Sequence, residues 1–385
     1  MLCGRISKKK LCAKINCIQA TANYLCQFTR DLNNSIISLN NSIVAIESNV
    51  DILEKTVGVP ISKTTTISSP GNYVLQEDIT GCIIIDANDV TLDLNNRTIT
   101  GTCNPVIKVN DGALNAVIKN GNIVGDNQNN DGIGIETDAH GCTVYGVNIE
   151  NCDAGITVNT ADLALIEHCI IKNCDAYGID FIDSSTSEVK YCQVLDIDTT
   201  SEFTAYRAYY TNGGGNITFF NCIAKNITST SGIYVFSFPS SNSTNLVVDN
   251  CIIEKISNNF NALYGITFSA QRVRITNNYI SDLDSTVSIF GISSNLPDLS
   301  IEEKFYAHNN FLVNFTTTSE CYGIKINDND PCYISGNFFG NFYSPFLIMA
   351  IERGGTSNNS LIGNMSIGNG PGPFNPVGTG SDIIP

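Results

Sequence analysis

Asp180 and Asp183 stand three residues apart in the run Tyr-Gly-Ile-Asp-Phe-Ile-Asp at 177–183. Carboxylates at a strand end can hold calcium, bind a sugar hydroxyl or move a proton, so these two are the candidate catalytic residues. A second cluster follows at 202–210, Glu-Phe-Thr-Ala-Tyr-Arg-Ala-Tyr-Tyr, where Tyr206, Arg207, Tyr209 and Tyr210 combine rigid rings with a planar cation. Rings and guanidinium together suit a sugar-stacking platform, and these four are the candidate glycan-binding residues. The plainer reading is a solvated rung edge for the first cluster and a self-packed lateral bulge for the second. Metal binding is not expected, because no Cys-x-x-Cys occurs and His140, His168 and His308 are scattered. No P-loop, GxSxG, HExxH or EF-hand loop is present, and no cofactor is expected.

These residues sit inside a repeat. Between 117 and 367 an apolar residue, two variable residues, Asn or Cys, and another apolar residue recur every 22 to 32 residues. One column reads Ile118, Val144, Ile166, Val189, Phe219, Val248, Ile275, Ala307, Ile334 and Leu361. A second reads Ile123, Ile149, Ile171, Val194, Ala224, Ile253, Ile280, Leu312 and Phe339. A fixed period of this size means stacked units, since no single unit holds enough apolar residues to exclude water alone. Alternation such as Val-x-Leu-x-Leu at 90–94 makes the units strands, with Gly and Asn at the turns. A third marker is Gly-Ile, at 155, 178, 232, 265, 291 and 323, where glycine is expected to supply a conformation forbidden to Cβ. Asn278, Asn310, Asn337 and Asn364 share a rung position with Cys169, Cys192, Cys222 and Cys251. The Asn residues are expected to pass amide hydrogen bonds along the stack, the Cys residues to act as small hydrophobes.

Residues 11–57 follow a different period. Apolar residues alternate in steps of four and three, with Ile36, Ile43, Val50 and Val57 among the a positions and Leu25, Leu32, Leu39, Ile46 and Leu53 among the d positions. The intervening Asn, Ser, Thr and Asp are weak helix formers, so such a helix needs its stripe buried against a partner. The expectation is a coiled-coil stalk, with these nine residues at the oligomerisation seam and a homotrimer favoured over a dimer. One amphipathic helix capping the solenoid is the alternative. Gly58 to Pro60 should end the helix.

Fifteen cysteines, an odd number spread along the chain, read as reduced thiols, and the chain is expected to fold in a reducing cytoplasm without a secretory signal. A Cys222–Cys251 bridge on adjacent coils is the exception the spacing would permit. The nine Asn-x-Ser/Thr sequons fit chance in so Asn-rich a chain. A formal charge of −16 argues against nucleic acid as partner of the repeat domain. No apolar run reaches membrane-span length.

Three short strands per coil of this length resemble the right-handed parallel β-helix of the pectin-lyase-like superfamily, over roughly residues 64–368. That resemblance implies an all-β solenoid of about ten coils. Enzymes of the superfamily act on polyuronides, so their motifs bear on Asp180. Tyr177-Gly178-Ile179-Asp180 resembles the start of a mannuronan epimerase motif, with Phe181 and Ile182 where Pro and His would follow. Asp180-Phe181-Ile182 resembles a pectin methylesterase segment, with Asp183 in place of an aromatic. Asn159-Thr160-Ala161-Asp162 and Ala139-His140-Gly141 resemble polygalacturonase motifs, the first with an inserted alanine and the second without its first glycine.

The expected organisation is a basic arm at 1–10, a helical stalk at 11–57, a linker at 58–63, the β-helix at 64–368 and a Gly/Pro-rich tail at 369–385. A stalk before a β-helix resembles viral fibres and phage tailspikes. The function read from this plan is a non-enzymatic structural or attachment protein, of virion or cell-surface type, presenting its β-helix to a glycan or a host surface. A carbohydrate-active enzyme, lyase or hydrolase, is the alternative. A host-directed interaction module is the third.

Overall fold

The computed structural model describes Leu32, Leu39 and residues 58–125, 132–199, 205–240, 243–294, 305–326, 332–353, 360–367 and 374–375. Two units divide at Gly58. Among the described residues of the first, Leu32 and Leu39 are helical and 51% and 64% exposed. The other seam residues (Leu25, Ile36, Ile43, Ile46, Val50, Leu53 and Val57), the arm at 1–10 and most of the tail lie outside the described residues.

The second unit is built from parallel strands, each hydrogen-bonded to its counterpart one coil away. A typical coil places Leu165–Glu167 and Ile170–Lys172 in a first sheet and Tyr177–Ile182 in a second. Among the described residues the first sheet has 23 strands and the second 13. Pairing begins within the expected linker, where Val59–Ile61 joins Gly71–Leu75, and reaches into the expected tail, where Phe374–Asn375 joins Leu347–Arg353.

Both apolar columns are in register residue for residue. Ile166 pairs with Val144 and Val189, and Ile275 with Val248 and Ala307. Ile166 and Ile275 are 1% and 0% exposed, so the inward phase holds. At each bend of the first sheet one residue takes a left-handed conformation. His168, Tyr191, Asn221, Asn250, Asn277 and Asn309 form one such column, with φ between 54 and 57. Asn tolerates that region better than other Cβ-bearing residues, which explains part of the chain's Asn content.

The residue after each bend points inward. Asn278 Nδ2 donates to Asn310 Oδ1 (2.9 Å), Asn310 Nδ2 to Asn337 Oδ1 (2.9 Å) and Asn337 Nδ2 to Asn364 Oδ1 (2.9 Å). Cys222 and Cys251 fill the same position, their thiols 3.4 and 3.7 Å from the carbonyls of Val189 and Phe219.

Two expectations change. The Gly-Ile column does not depend on positive φ. A Cβ on Gly291 would stand 2.6 Å from the Gly323 carbonyl oxygen, and one on Gly265 would stand 2.5 Å from that of Gly291. Close approach of the next coil therefore excludes a side chain. Gly232 falls outside this column, because Ile233 pairs with Leu263 and Phe236 with Ile266, leaving Val235 opposite Gly265.

The second change concerns the thiols, which are not all reduced. Cys82 and Cys103 are joined, their Cα atoms 6.0 Å apart on neighbouring coils. This bond requires an oxidant at some stage, against the expected reducing compartment. Nine other described cysteines are buried thiols, including Cys222 and Cys251. Alkylation after denaturation without reductant should label these nine and leave a Cys82–Cys103 linked peptide on mass spectrometry. Labelling of Cys82 would refute the pairing.

Candidate functional site

The second sheet carries both sequence-derived clusters. Along Tyr177–Ile182 the core takes Ile179 and Phe181, each 0% exposed, so Asp180 lies on the outer face. Gly178 is an extra residue in the alternation, which leaves Tyr177 on that outer face as well. Tyr206–Asn212 repeats the arrangement one coil on, with Ala208 as the extra residue and Tyr177 opposite Arg207, Asp180 opposite Tyr210.

The four glycan-binding candidates therefore divide. Tyr206 and Tyr209 are fully buried, and the Tyr209 hydroxyl lies 3.0 and 2.9 Å from the carbonyls of Cys192 and Ile223. Neither is available to a ligand. The inserted Ala208 turns both inward, an effect a simple two-residue alternation does not anticipate. Arg207 and Tyr210 do face outward together. The guanidinium carbon stands 4.8 Å from the Tyr210 ring centroid and 5.6 Å from those of Tyr177 and Tyr234. One guanidinium nitrogen reaches the Tyr177 hydroxyl at 3.4 Å and the Ala205 carbonyl at 3.3 Å.

Tyr177 and Tyr234 were not sequence candidates. Tyr177 carried a signal, since an aromatic precedes the column glycine at Tyr177-Gly178, Tyr264-Gly265, Phe290-Gly291 and Tyr322-Gly323, whereas Tyr234 precedes Val235 and carried none. These rings stack along the coil axis. Tyr234–Tyr264, Tyr264–Phe290 and Phe290–Tyr322 have centroids 4.7, 4.7 and 5.2 Å apart and planes within 9°. A ring stacked on both sides offers solvent its edge rather than its face, so this ladder is poor ground for sugar stacking.

Asp180 is 4% exposed, and its Oδ1 has no hydrogen-bond partner. Burial raises its carboxyl to about 7, against a smaller lowering by the Arg207 charge. It can therefore exchange a proton near neutrality. Its register neighbours are Thr157 and Tyr210, neither of them a second carboxylate. Asp183 lies beyond the strand, exposed in a left-handed turn with φ 48, and its amide donates to the Asn212 carbonyl at 2.8 Å. No hydrogen bond joins Asp180 to Asp183 among the described residues. Glycoside cleavage ordinarily uses two carboxyl groups flanking one bond, and the next carboxylate in the Asp180 column is Glu136, two coils away and paired with Lys108 at 2.8 Å. No group of three or more His, Cys, Asp or Glu gathers among the described residues.

The family model described as the right-handed beta helix region matches residues 72–211. No curated protein matches the chain. Solved structures of similar fold include the A-module of a mannuronan C-5 epimerase from Azotobacter vinelandii, at 13% identity and TM-score 0.44, covering 84% of this chain and 94% of that one. A polygalacturonase from Erwinia carotovora ssp. carotovora is also 13% identical with TM-score 0.44, covering 79% and 97%. The tailspike gp49 of Acinetobacter baumannii bacteriophage Fri1, a capsular polysaccharide depolymerase, is 12% identical with TM-score 0.39, covering 77% and 58%. At these identities the likeness is one of fold. In fold, the described second unit is a parallel β-helix, and the family match makes residues 72–211 a right-handed one.

Proposed function

We propose that the protein is an oligomeric attachment module, non-enzymatic, whose N-terminal stalk joins copies and whose β-helix presents its flanks to a surface ligand. The observation that carries this is the state of Leu32 and Leu39, one heptad apart, both helical and both more than half exposed in the single chain. Apolar residues repeated at that spacing call for burial against another helix. Asp180 has Thr157 and Tyr210 as its immediate register neighbours, and the next acid in its column, Glu136, is held by Lys108, an arrangement that favours binding over hydrolysis. Trimerisation, a final site on a virion or cell surface, and the boundaries of the stalk at 11–57 belong to this same reading.

Light scattering at micromolar concentration should give a mass near three copies of the 41.6 kDa chain. Replacing Ile36 and Ile43 with Asp places charges in the seam at several kcal/mol each unless paired, and should yield a monomer with unchanged β circular dichroism. A wild-type mass of one chain would sink the stalk. Sustained release of reducing ends or unsaturated sugars from a polysaccharide panel, abolished by Asp180→Asn, would replace this reading with the carbohydrate-active enzyme.

A further inference from the structure

We propose that the first sheet carries a second, separate binding site, at Arg272, Arg274 and Tyr306, that takes an anionic saccharide. It deepens the attachment reading and rests on it for the ligand being a sugar.

The strands Thr244–Asp249, Gln271–Thr276 and Phe305–His308 lie side by side, with Val247 opposite Arg274 and Arg274 opposite Tyr306. Leu246, Val248, Val273 and Ile275 fill the core, so the three paired residues occupy the outer face. At the preceding bend, Asn245 and Arg272 hold left-handed conformations with φ 53 and 55. These residues line one cavity of about 510 Å³, large enough for a monosaccharide with its neighbour.

Six of the eight described lysines of the β-helix sit beside a carboxylate, Lys63 and Lys255 being the others. Lys108, Lys119, Lys172, Lys190, Lys225 and Lys325 each pair with a carboxylate. Arg207 is enclosed by tyrosines. Arg272 and Arg274, two residues apart and both exposed, have no carboxylate partner among the described residues. In a chain of formal charge −16 acidic residues are plentiful, yet two like charges are left together at a cavity, where they repel.

Tyr306 supplies the other half. Its ring stacks on Tyr333 at 5.1 Å with planes 9° apart. Tyr306 pairs with Tyr333 on one side and Arg274 on the other, so its second face turns towards the arginine coil. Unlike the enclosed rings of the second sheet, this is a ladder end with one open face. An open aromatic face accepts the apolar face of a pyranose, and a guanidinium fork holds a carboxylate or a sulfate in two hydrogen bonds. A saccharide bearing either anion satisfies both.

Calorimetry on the full chain should be run with sialyllactose as the carboxylate probe, 6′-sulfated lactose as the sulfate probe and lactose as the neutral control. One or both charged probes should bind at least ~10-fold more tightly than lactose, with affinity falling as salt rises. Arg272→Gln with Arg274→Gln should abolish that preference, and Tyr306→Ala should weaken all binding. Equal affinity for lactose, silence from both charged probes, or undiminished binding by the double variant would overturn the site. Light scattering on the same samples separates the two readings. A monomer that binds removes the stalk and keeps the site, whereas a trimer that does not bind removes the site alone.

Discussion

Replacing Asn310 with Leu should cost several kcal/mol of stability, as large a loss as any single side chain in the inner ladder should give. Asn310 is 1% exposed and of similar size to Leu, so lost packing is a minor part. Its Oδ1 accepts from the Asn278 amide nitrogen at 3.1 Å and from Asn278 Nδ2 at 2.9 Å. Its Nδ2 donates to the Ile275 carbonyl at 2.9 Å and to Asn337 Oδ1 at 2.9 Å. Leucine leaves these partners buried and unpaired, at about 1–3 kcal/mol for each group not otherwise bonded. Asn310→Cys should cost clearly less, because the Cys222 amide is already served by the Cys251 sulfur at 3.4 Å. Urea unfolding of the three proteins is the measurement. Equal losses for Leu and Cys, or a loss below ~1 kcal/mol for Leu, would show that the ladder contributes shape and not hydrogen bonds.

Asp180→Asn should do the opposite, and only at the higher pH. The folded-state pKa of about 7 lies above the ordinary value of 3.8 for a solvated aspartate. The folded protein thus holds this proton more tightly than the unfolded chain does. Below pH ~4 both states are protonated and the group is neutral to stability. As pH rises from there the unfolded chain gains by ionising, and the folded state falls behind until it also ionises near 7. Above that pH the penalty is complete, on the order of 4 kcal/mol. Asn removes the ionisation, so the variant should match wild type at pH 4 and exceed it at pH 8 in urea unfolding. A loss at pH 8, or the same difference at both pH values, would show that the carboxylate is paired in a way its unbonded Oδ1 does not suggest.

The inner columns were legible because their signal is redundant. The apolar pair, the left-handed bend and the Asn or Cys after it recur together, so a slip of one residue at Ile166 or Ile275 would have violated all three. The Gly-Ile marker was legible as a column, but its cause was not, since close approach of a carbonyl involves the next coil and leaves no trace in local sequence. Gly232 shows the same limit, for its dipeptide matches while Val235 takes the structural position. The second-sheet site was half legible. Composition located Asp180, Arg207 and Tyr210, and the extra residue at Ala208 sent Tyr206 and Tyr209 into the core. Cys82 and Cys103 lie before the repeat signature becomes regular, where no spacing rule brings two thiols together. Arg272 and Arg274 were invisible as a site because their isolation depends on what the surrounding coils lack.

The inner amide ladder has a direction. Asn278 donates to Asn310, Asn310 to Asn337 and Asn337 to Asn364, and each backbone amide at this position also donates forward, to the side chain of the following coil. Each of these coils therefore depends in part on the one synthesised after it. On a ribosome the chain emerges amino end first, and at 5–20 residues per second a spacing of 32 residues, as between Ile275 and Ala307, takes roughly 2–6 s. Throughout that interval the newest coil presents donors whose acceptors have not yet been translated. Vectorial growth of this protein thus carries an adhesive leading edge, which the arrival of each next asparagine closes and moves forward by one coil.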